Sequence, residues 1–241
     1  MMRSKAFILI STLFVLLFCV AAKEKFIQQQ NNAPVVKIVS PLNNSSYNIG
    51  AQIHYKISVS DKEDGESKYD EIDAKQVLVE LKYFSDSSSF ATANAKKEKD
   101  VPGLAAIKTS NCFNCHGFDT KITGPSFSEI TKRYKPTAAN MALLQKRIKA
   151  GSTGVWGKTP MPTHPELSDI QINNMVQWIM QNASAPNVHY YIGFEGNLNL
   201  QMPLTLNKNG VYILTASYTD HGINNKGTRL EGRDVIVLQA K

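Results

Sequence analysis

Cysteine is nearly absent. Cys19, Cys112 and Cys115 are the only three in 241 residues, too few for the disulfide framework that staples small secreted domains. No second Cys-x-x-Cys or spaced His pair occurs, so a zinc site would be two ligands short. A thioredoxin-like redox disulfide needs a βαβ context, and none surrounds Cys112. The net charge is +7, but no arginine cluster interleaved with aromatics accompanies it, which speaks against nucleic acid as a partner. The longest apolar run, Ala6 to Val20, is short for a membrane span. No nucleophile–base pair, phosphate loop or spaced carboxylate pair stands out, so the common hydrolytic and phosphoryl-transfer chemistries have no visible machinery.

The N-terminus has the form of an export signal. Arg3 and Lys5 precede the apolar run, and Val20-Ala21-Ala22 offers small residues where a signal peptidase cuts. Cleavage after Ala22 is expected, with residues 1–22 as signal peptide. Cys19 raises the alternative of lipidation, which is the one route by which this chain would engage a membrane, but bulky Phe18 precedes it. Cleavage leaves two cysteines and 25 Lys and Arg against 20 Asp and Glu. A modest positive surface of this kind is solvated, and it also suits an acidic partner protein.

Those two cysteines belong to Cys112-Phe113-Asn114-Cys115-His116, the spacing at which c-type haem is attached. Each sulfur can add to a haem vinyl group as a thioether, which brings the following imidazole beneath the ring as proximal iron ligand. Several side chains compete for the sixth position. Met161 lies between Pro160 and Pro162, which stiffen its loop. Met141, Met175 and Met180 sit on helical patterns where packing is the simpler role. Met202 lies among strands, and His164 would give bis-histidine ligation. One covalent haem c is the cofactor these residues call for.

Around this motif the chain reads β, then α, then β. Residues 23–33 are polar and Gln/Asn-rich, a tether. Val35 to Val39 is a strand signal; Ile53, Tyr55, Ile57 and Val59 alternate with polar residues, and Val77, Val79, Leu81 and Tyr83 share a second face. Asp61 to Gly65 is a charged turn. Asp61, Glu63 and Asp64 offer oxygens of the kind calcium takes, a solvated acidic turn being the simpler reading. Residues 85–100 read as a linker. A short helix from Val101 to Asn111 leads into the haem motif. Another carries Met141, Leu144 and Ile148 on one face, with Lys146, Arg147 and Lys149 in its last turn and Gly151 beyond it. Ser168 and Gln171 form a capping box for a helix whose buried stripe is Ile172, Met175, Val176, Ile179 and Ala183. Strand signals return at 189–194, 198–206, 211–218 and 235–238, the second and third separated by Asn207-Lys208-Asn209-Gly210.

Neither β block is large enough to bury two faces alone. The expected architecture is multidomain: an all-α domain at 97–184 inserted into, or flanked by, an antiparallel β-sandwich of Ig-like size built from residues 34–90 and 188–241. Three independent beads are the alternative.

Residues 101–184 resemble a small bacterial monohaem class I cytochrome c. The resemblance rests on Cys112-Phe113-Asn114-Cys115-His116, Gly124-Pro125, the stretch from Gly154-Val155-Trp156-Gly157 to Pro160-Met161-Pro162, and the helix from Ser168. It implies that the Pro125 carbonyl accepts a hydrogen bond from His116 Nδ1 and fixes its tautomer. It also implies iron ligation by His116 and Met161, with Trp156 beside the haem. Phe113, Ile122, Phe127 and Trp178 are expected to complete the wall. The β portion is similar to PKD/Ig-like segments that accompany such domains in exported bacterial proteins, several of them joined to quinoprotein-type dehydrogenases. That similarity rests on Val59 to Gly65 and Tyr212 to Asp220.

The leading reading is therefore an exported (periplasmic) electron carrier rather than an enzyme, passing single electrons between a separate dehydrogenase chain and a terminal acceptor. Two others remain. The β portion could itself bind carbohydrate or protein, with Tyr190 and Tyr191 as the hint, or Met161 could dissociate and open a peroxidase-like site.

Overall fold

The computed structural model describes residues 30–85, 100–201 and 210–241. The signal and most of the tether, the linker at 86–99 and the Met202-Pro203 pair lie outside the described residues. Nine strands and four α-helices occur among those described. The strands are β1 (Val35–Ser40), β2 (Ser46–Tyr47), β3 (Gln52–Asp61), β4 (Gly65–Glu66), β5 (Leu78–Phe84), β6 (Val188–Ile192), β7 (Glu195–Asn199), β8 (Val211–Thr219) and β9 (Glu231–Ala240). The helices are α1 (Pro102–Thr109), α2 (Phe127–Arg133), α3 (Ala138–Ala150) and α4 (Asp169–Asn182).

The period-2 pattern fixes which strand faces turn inward. Along β3 every second residue from Ile53 to Val59 is buried, as expected of a strand with one wet face. β3 pairs with β1, β4 and β7 in one sheet, and the other runs β2-β9-β8-β5-β6. Both sheets take strands from either side of the helical segment: β7 lies on β3, and β6 and β8 flank β5. The pairing is antiparallel except between β2 and β9, which run parallel. A single apolar core, including Tyr55, Val79, Leu198, Tyr212 and Leu238, fills the space between the sheets.

The four helices build a second core from the stripes the sequence displays. Ile172, Met175, Val176, Ile179 and Ala183 are all buried, and Met141, Leu144 and Ile148 pack against them. Helix α4 starts at the Ser168–Gln171 capping box, and α3 stops at Gly151 with φ 76°. Helices α1 and α4 cross where α1 carries Gly103; a Cβ there would lie 2.3 Å from the carbonyl of Asn174, so only glycine permits the approach.

Residues 31–241 form one compact unit, because the second core reaches onto the outer face of β5 and β6. Leu78 belongs to it, with Tyr190 and Ile192 packed alongside. Tyr190 stacks on Phe118 at 4.7 Å between ring centroids and meets Trp178 edge-on at 5.4 Å. Tyr191 points the other way, with its hydroxyl accepting from the Asn199 amide and its ring near Tyr55. The two tyrosines therefore do not form an exposed binding row, which removes the hint for a carbohydrate face.

A charged knot closes the same junction. The Lys108 ammonium, on α1 and almost wholly buried, donates to Asp100 at 2.6 Å, to the Ser217 hydroxyl on β8 at 2.9 Å and to Glu231 on β9 at 3.3 Å. Burial pushes the Asp100 carboxyl up, but the Lys108 and Arg233 charges outweigh it and hold the group below the usual carboxylate range. Asn31 and Asn32, which read as tether, are also tied down. Asn31 donates to Asp220 and Asn32 to Glu63, each at 2.8 Å.

Candidate haem site

Asn111, in the left-handed region at φ 57°, turns the chain out of α1 into a single 3-10 turn, Cys112–Asn114. The amides of Cys115 and His116 both donate to the Cys112 carbonyl, at 3.1 and 2.9 Å. This one turn presents two thiols and an imidazole to a common cavity of about 760 Å³, within the range that holds cofactor-sized ligands. Both cysteines are half-buried and unbridged. Burial pushes the Cys112 thiol up to about 12.

His116 is 9% exposed. Its Nδ1 lies 2.7 Å from the carbonyl of Pro125, which can only accept, so Nδ1 carries the hydrogen and Nε2 keeps its lone pair. Gly124 makes that contact possible: a Cβ there would fall 2.6 Å from His116 Cε1. The Thr123 and Gly124 amides return to the Cys115 carbonyl at 3.2 and 2.9 Å, closing the loop. Phe127 lies parallel to the imidazole, 13° off at 5.6 Å between centroids. Burial, with His164 nearby, lowers the His116 pKa against the opposing pull of the Pro125 bond. The ring is therefore neutral at physiological pH, the form in which histidine ligates a metal.

Met161 enters the cavity from the loop after α3. Its amide donates to the Ser152 carbonyl at 2.8 Å, and the Ser152 amide returns to Met161 at 3.2 Å. This bridge, with prolines on both sides, fixes the backbone that carries the thioether. Trp156 is held over the same opening by Arg133, whose guanidinium sits 4.6 Å from the indole centroid and donates to the Val155 carbonyl. His164 also borders the cavity, its Nδ1 2.8 Å from the Glu166 carboxylate.

Cys112, Cys115, His116, Pro125, Trp156 and Met161 all line one cavity. Met175 lines it too, although it is 1% exposed and part of the helical core. The wall is otherwise built by the helix stripes: Ile107, Leu144, Ile148, Val176 and Ile179 border it with Phe127. Phe113 and Trp178 are instead core residues, and Ile122 is 48% exposed. Of the residues expected to wall the haem, Phe127 and Trp156 border the cavity, and aliphatic residues of the helices supply the rest. Arg229, from the β8–β9 loop, also borders the cavity and donates to the Thr109 carbonyl; no local signal marks it.

The donor set tests which group fits. Two thiols one helical turn apart, a neutral imidazole with a fixed tautomer and a thioether share one largely apolar cavity, and that combination fits a covalently held haem. Among the described residues no three His, Cys, Asp or Glu side chains are grouped to hold a bare metal ion.

The cytochrome c family model matches residues 101–183. A cytochrome c-551 from Azotobacter vinelandii is 40% identical over 78 residues, 32% of this chain and 94% of that protein. A cytochrome c-552 from Nitrosomonas europaea is 32% identical over 97 residues, 40% of this chain and 89% of the relative. The crystal structure of wild-type Nitrosomonas europaea cytochrome c552 aligns at 35% identity with TM-score 0.31, covering 32% of this chain and 96% of that one. With nearly the whole length of such relatives contained in its helical segment, this chain belongs to the cytochrome c family.

Proposed function

We propose that the protein is an exported electron carrier holding one covalent haem c through Cys112, Cys115, His116 and Met161. The observation that carries this reading is the convergence of those four side chains on one cavity, with His116 oriented by Pro125. When bound, haem c supplies a one-electron iron couple.

In this reading the chain's own residues have distinct tasks. Cys112 and Cys115 tether the group as thioethers. His116 offers Nε2, and the Pro125 carbonyl keeps Nδ1 protonated and the ring fixed. Met161 would also hold the iron, through its thioether, and ligation by a histidine–methionine pair would favour electron transfer over peroxide chemistry. The aliphatic walls exclude water. Residues 101–184 carry nine Lys and Arg against four Asp and Glu, which favours acidic redox partners. A dehydrogenase on a separate chain is the donor we favour, with a terminal acceptor downstream.

Two further parts of the reading concern the rest of the chain. Residues 34–90 and 188–241 are taken as one Ig-like sandwich interrupted by the cytochrome segment, supported by the pairing of β3 with β7 and of β5 with β6 and β8. Residues 1–22 are taken as the removed export signal; N-terminal sequencing of envelope-purified protein tests this. No helix among the described residues is long and apolar enough to cross a membrane.

The decisive experiment compares native protein with Met161→Ala. Native protein should retain its colour through acid-acetone extraction and show a sulfur-to-iron charge-transfer band when oxidised. The variant should lose the band, and its midpoint potential should fall by on the order of 0.1 V, well inside the roughly 0.8 V that axial ligands span. Extractable colour overturns the tether; a surviving band reassigns the ligand, with Met175 next.

A further inference from the structure

Asp61 closes β3 in what reads as a solvated acidic turn, yet it is only 7% exposed. Its Oδ1 accepts from the amides of Glu63 at 2.9 Å and Asp64 at 2.7 Å, while Oδ2 is buried without a hydrogen-bond partner. A second such oxygen is Asn31 Oδ1. The two lie at the same end of the sheet: Val35 pairs with Ser60, so the segment entering β1 runs past the end of β3. Asn31 Nδ2 donates to Asp220 Oδ2 at 2.8 Å and to the Thr228 carbonyl at 2.9 Å. Asp220 is fully buried, and its Oδ1 accepts from the Gly222 and Leu230 amides.

The charges of Asp64, Asp61 and Asp220 all reach the Tyr218 hydroxyl, which burial, above all, and these carboxylates push upward; that hydroxyl donates to Asp64 Oδ2 at 2.6 Å. Asp64 also has His221 against it at 3.0 Å. Among the described residues, neither Asp61 nor Asp220 makes an ion pair with any Lys, Arg or His. Burial raises the Asp61 carboxyl above its ordinary value. Buried carboxylates are ordinarily paired or bound to metal, and an orphaned buried oxygen calls for a partner.

We propose that Asn31, Asp61 and Asp220 form a calcium site at this end of the sheets, with Asn31 Oδ1 and Asp61 Oδ2 as direct ligands. The donors are all oxygen, which selects a hard cation. They come from a turn carboxylate, a side-chain amide and a loop carboxylate, an irregular set that calcium accepts and magnesium, which demands near-octahedral geometry, does not. Carboxylates alone do not complete the site, since no three acidic or histidine side chains are grouped closely enough; the Asn31 amide and backbone oxygens are required. Such an ion joins the segment before β1, the end of β3 and the β8–β9 loop. That loop carries Arg229 to the edge of the haem cavity, so the ion also steadies one border of the electron-transfer site.

The test uses the full haem-loaded chain, stripped with a chelator and titrated with calcium chloride by calorimetry, with thermal melts in parallel. One saturable site is expected, with a dissociation constant of about 1 mM or tighter, and the melting midpoint should rise by several degrees. Magnesium chloride should bind at least about tenfold more weakly. Asp61→Asn keeps an acceptor for the Glu63 and Asp64 amides while removing the charge, and should weaken calcium at least about tenfold. Should that variant fail to fold, Asn31→Ala, at a half-buried position, is expected to give the same loss. No saturable binding by native protein up to about 10 mM, or unchanged affinity in the folded variant, overturns the proposal.

Discussion

The two halves of this molecule bury their apolar residues in different ways. Between the sheets, Tyr55, Leu198, Tyr212, Leu214 and Leu238 meet one another at 2% exposure or less, and the core is closed by protein alone. In the helical half the stripes of α1, α3 and α4 face each other only in part; elsewhere Ile107, Leu144, Ile148 and Ile179 border the cavity that Cys112 and His116 enter. A core finished by its own side chains is a scaffold. A core whose walls converge on thiols, an imidazole and a thioether is built around a cofactor, and its stability is coupled to that cofactor. The junction joins both characters, since Leu78 and Tyr190 are strand residues that serve the helical core.

The sharpest way to break the comparison is Cys112→Ala with Cys115→Ala. Covalently held colour should vanish and the helical far-UV signal should fall substantially, while the sheet signal and a cooperative thermal transition persist. Simultaneous collapse of both signals would show that the sheets depend on the cofactor as well. Next in size is Lys108→Ala. Removing this ammonium leaves Arg233 as the one cation paired with Asp100 and Glu231 among the described residues, so the loss should fall at the lower end of the roughly 3–5 kcal/mol that breaking a buried pair costs. Denaturant melts of the haem-loaded protein measure it; a loss under about 1 kcal/mol would mean that the pair behaves like an exposed one.

Acid sharpens the same point. The folded pKa of Asp100 is lowered, so the stability it contributes is fully present above its unfolded value of about 3.9 and is lost as pH falls through the lower folded value. Native protein should therefore show an acid-labile component below about pH 4 that is smaller in Lys108→Ala, where Arg233 is the remaining cation that lowers the group. Stability-versus-pH curves of the two proteins decide this; equal curves contradict it. The smallest effect is Ser168→Ala. The Ser168 hydroxyl accepts from the Gln171 amide at the start of α4, and its loss should cost about 1 kcal/mol by melting with the visible spectrum unchanged. A changed spectrum would mean that the helix start also positions the cavity wall.

Legibility followed range. The Cys112–His116 turn, the Ser168 capping box and the stripe of α4 depend on neighbours within a few residues and are readable from spacing, whereas the role of Gly124-Pro125 comes from the family resemblance. The β5 alternation was equally readable, but it marks only Val79, Leu81 and Tyr83 as inward. Leu78 looks like the wet face, and it is covered because the helical core from later in the chain packs on it. Asp61 has the composition of a solvated turn, yet it is buried, with Oδ1 taken by the Glu63 and Asp64 amides and Oδ2 unpartnered. Trp178 has the chemistry of a haem wall and instead packs against Phe118 and Tyr190.

By itself the sequence determined the attachment chemistry, the helix and strand periods and the order β, α, β, because these are set by bonds, caps and repeats along the chain. The tertiary structure decided which strand faces are truly exposed, where Lys108 finds its anions and which residues wall the cavity. The Lys108 bonds to Ser217 and Glu231 join segments more than 100 residues apart, and no local pattern encodes a partner that distant.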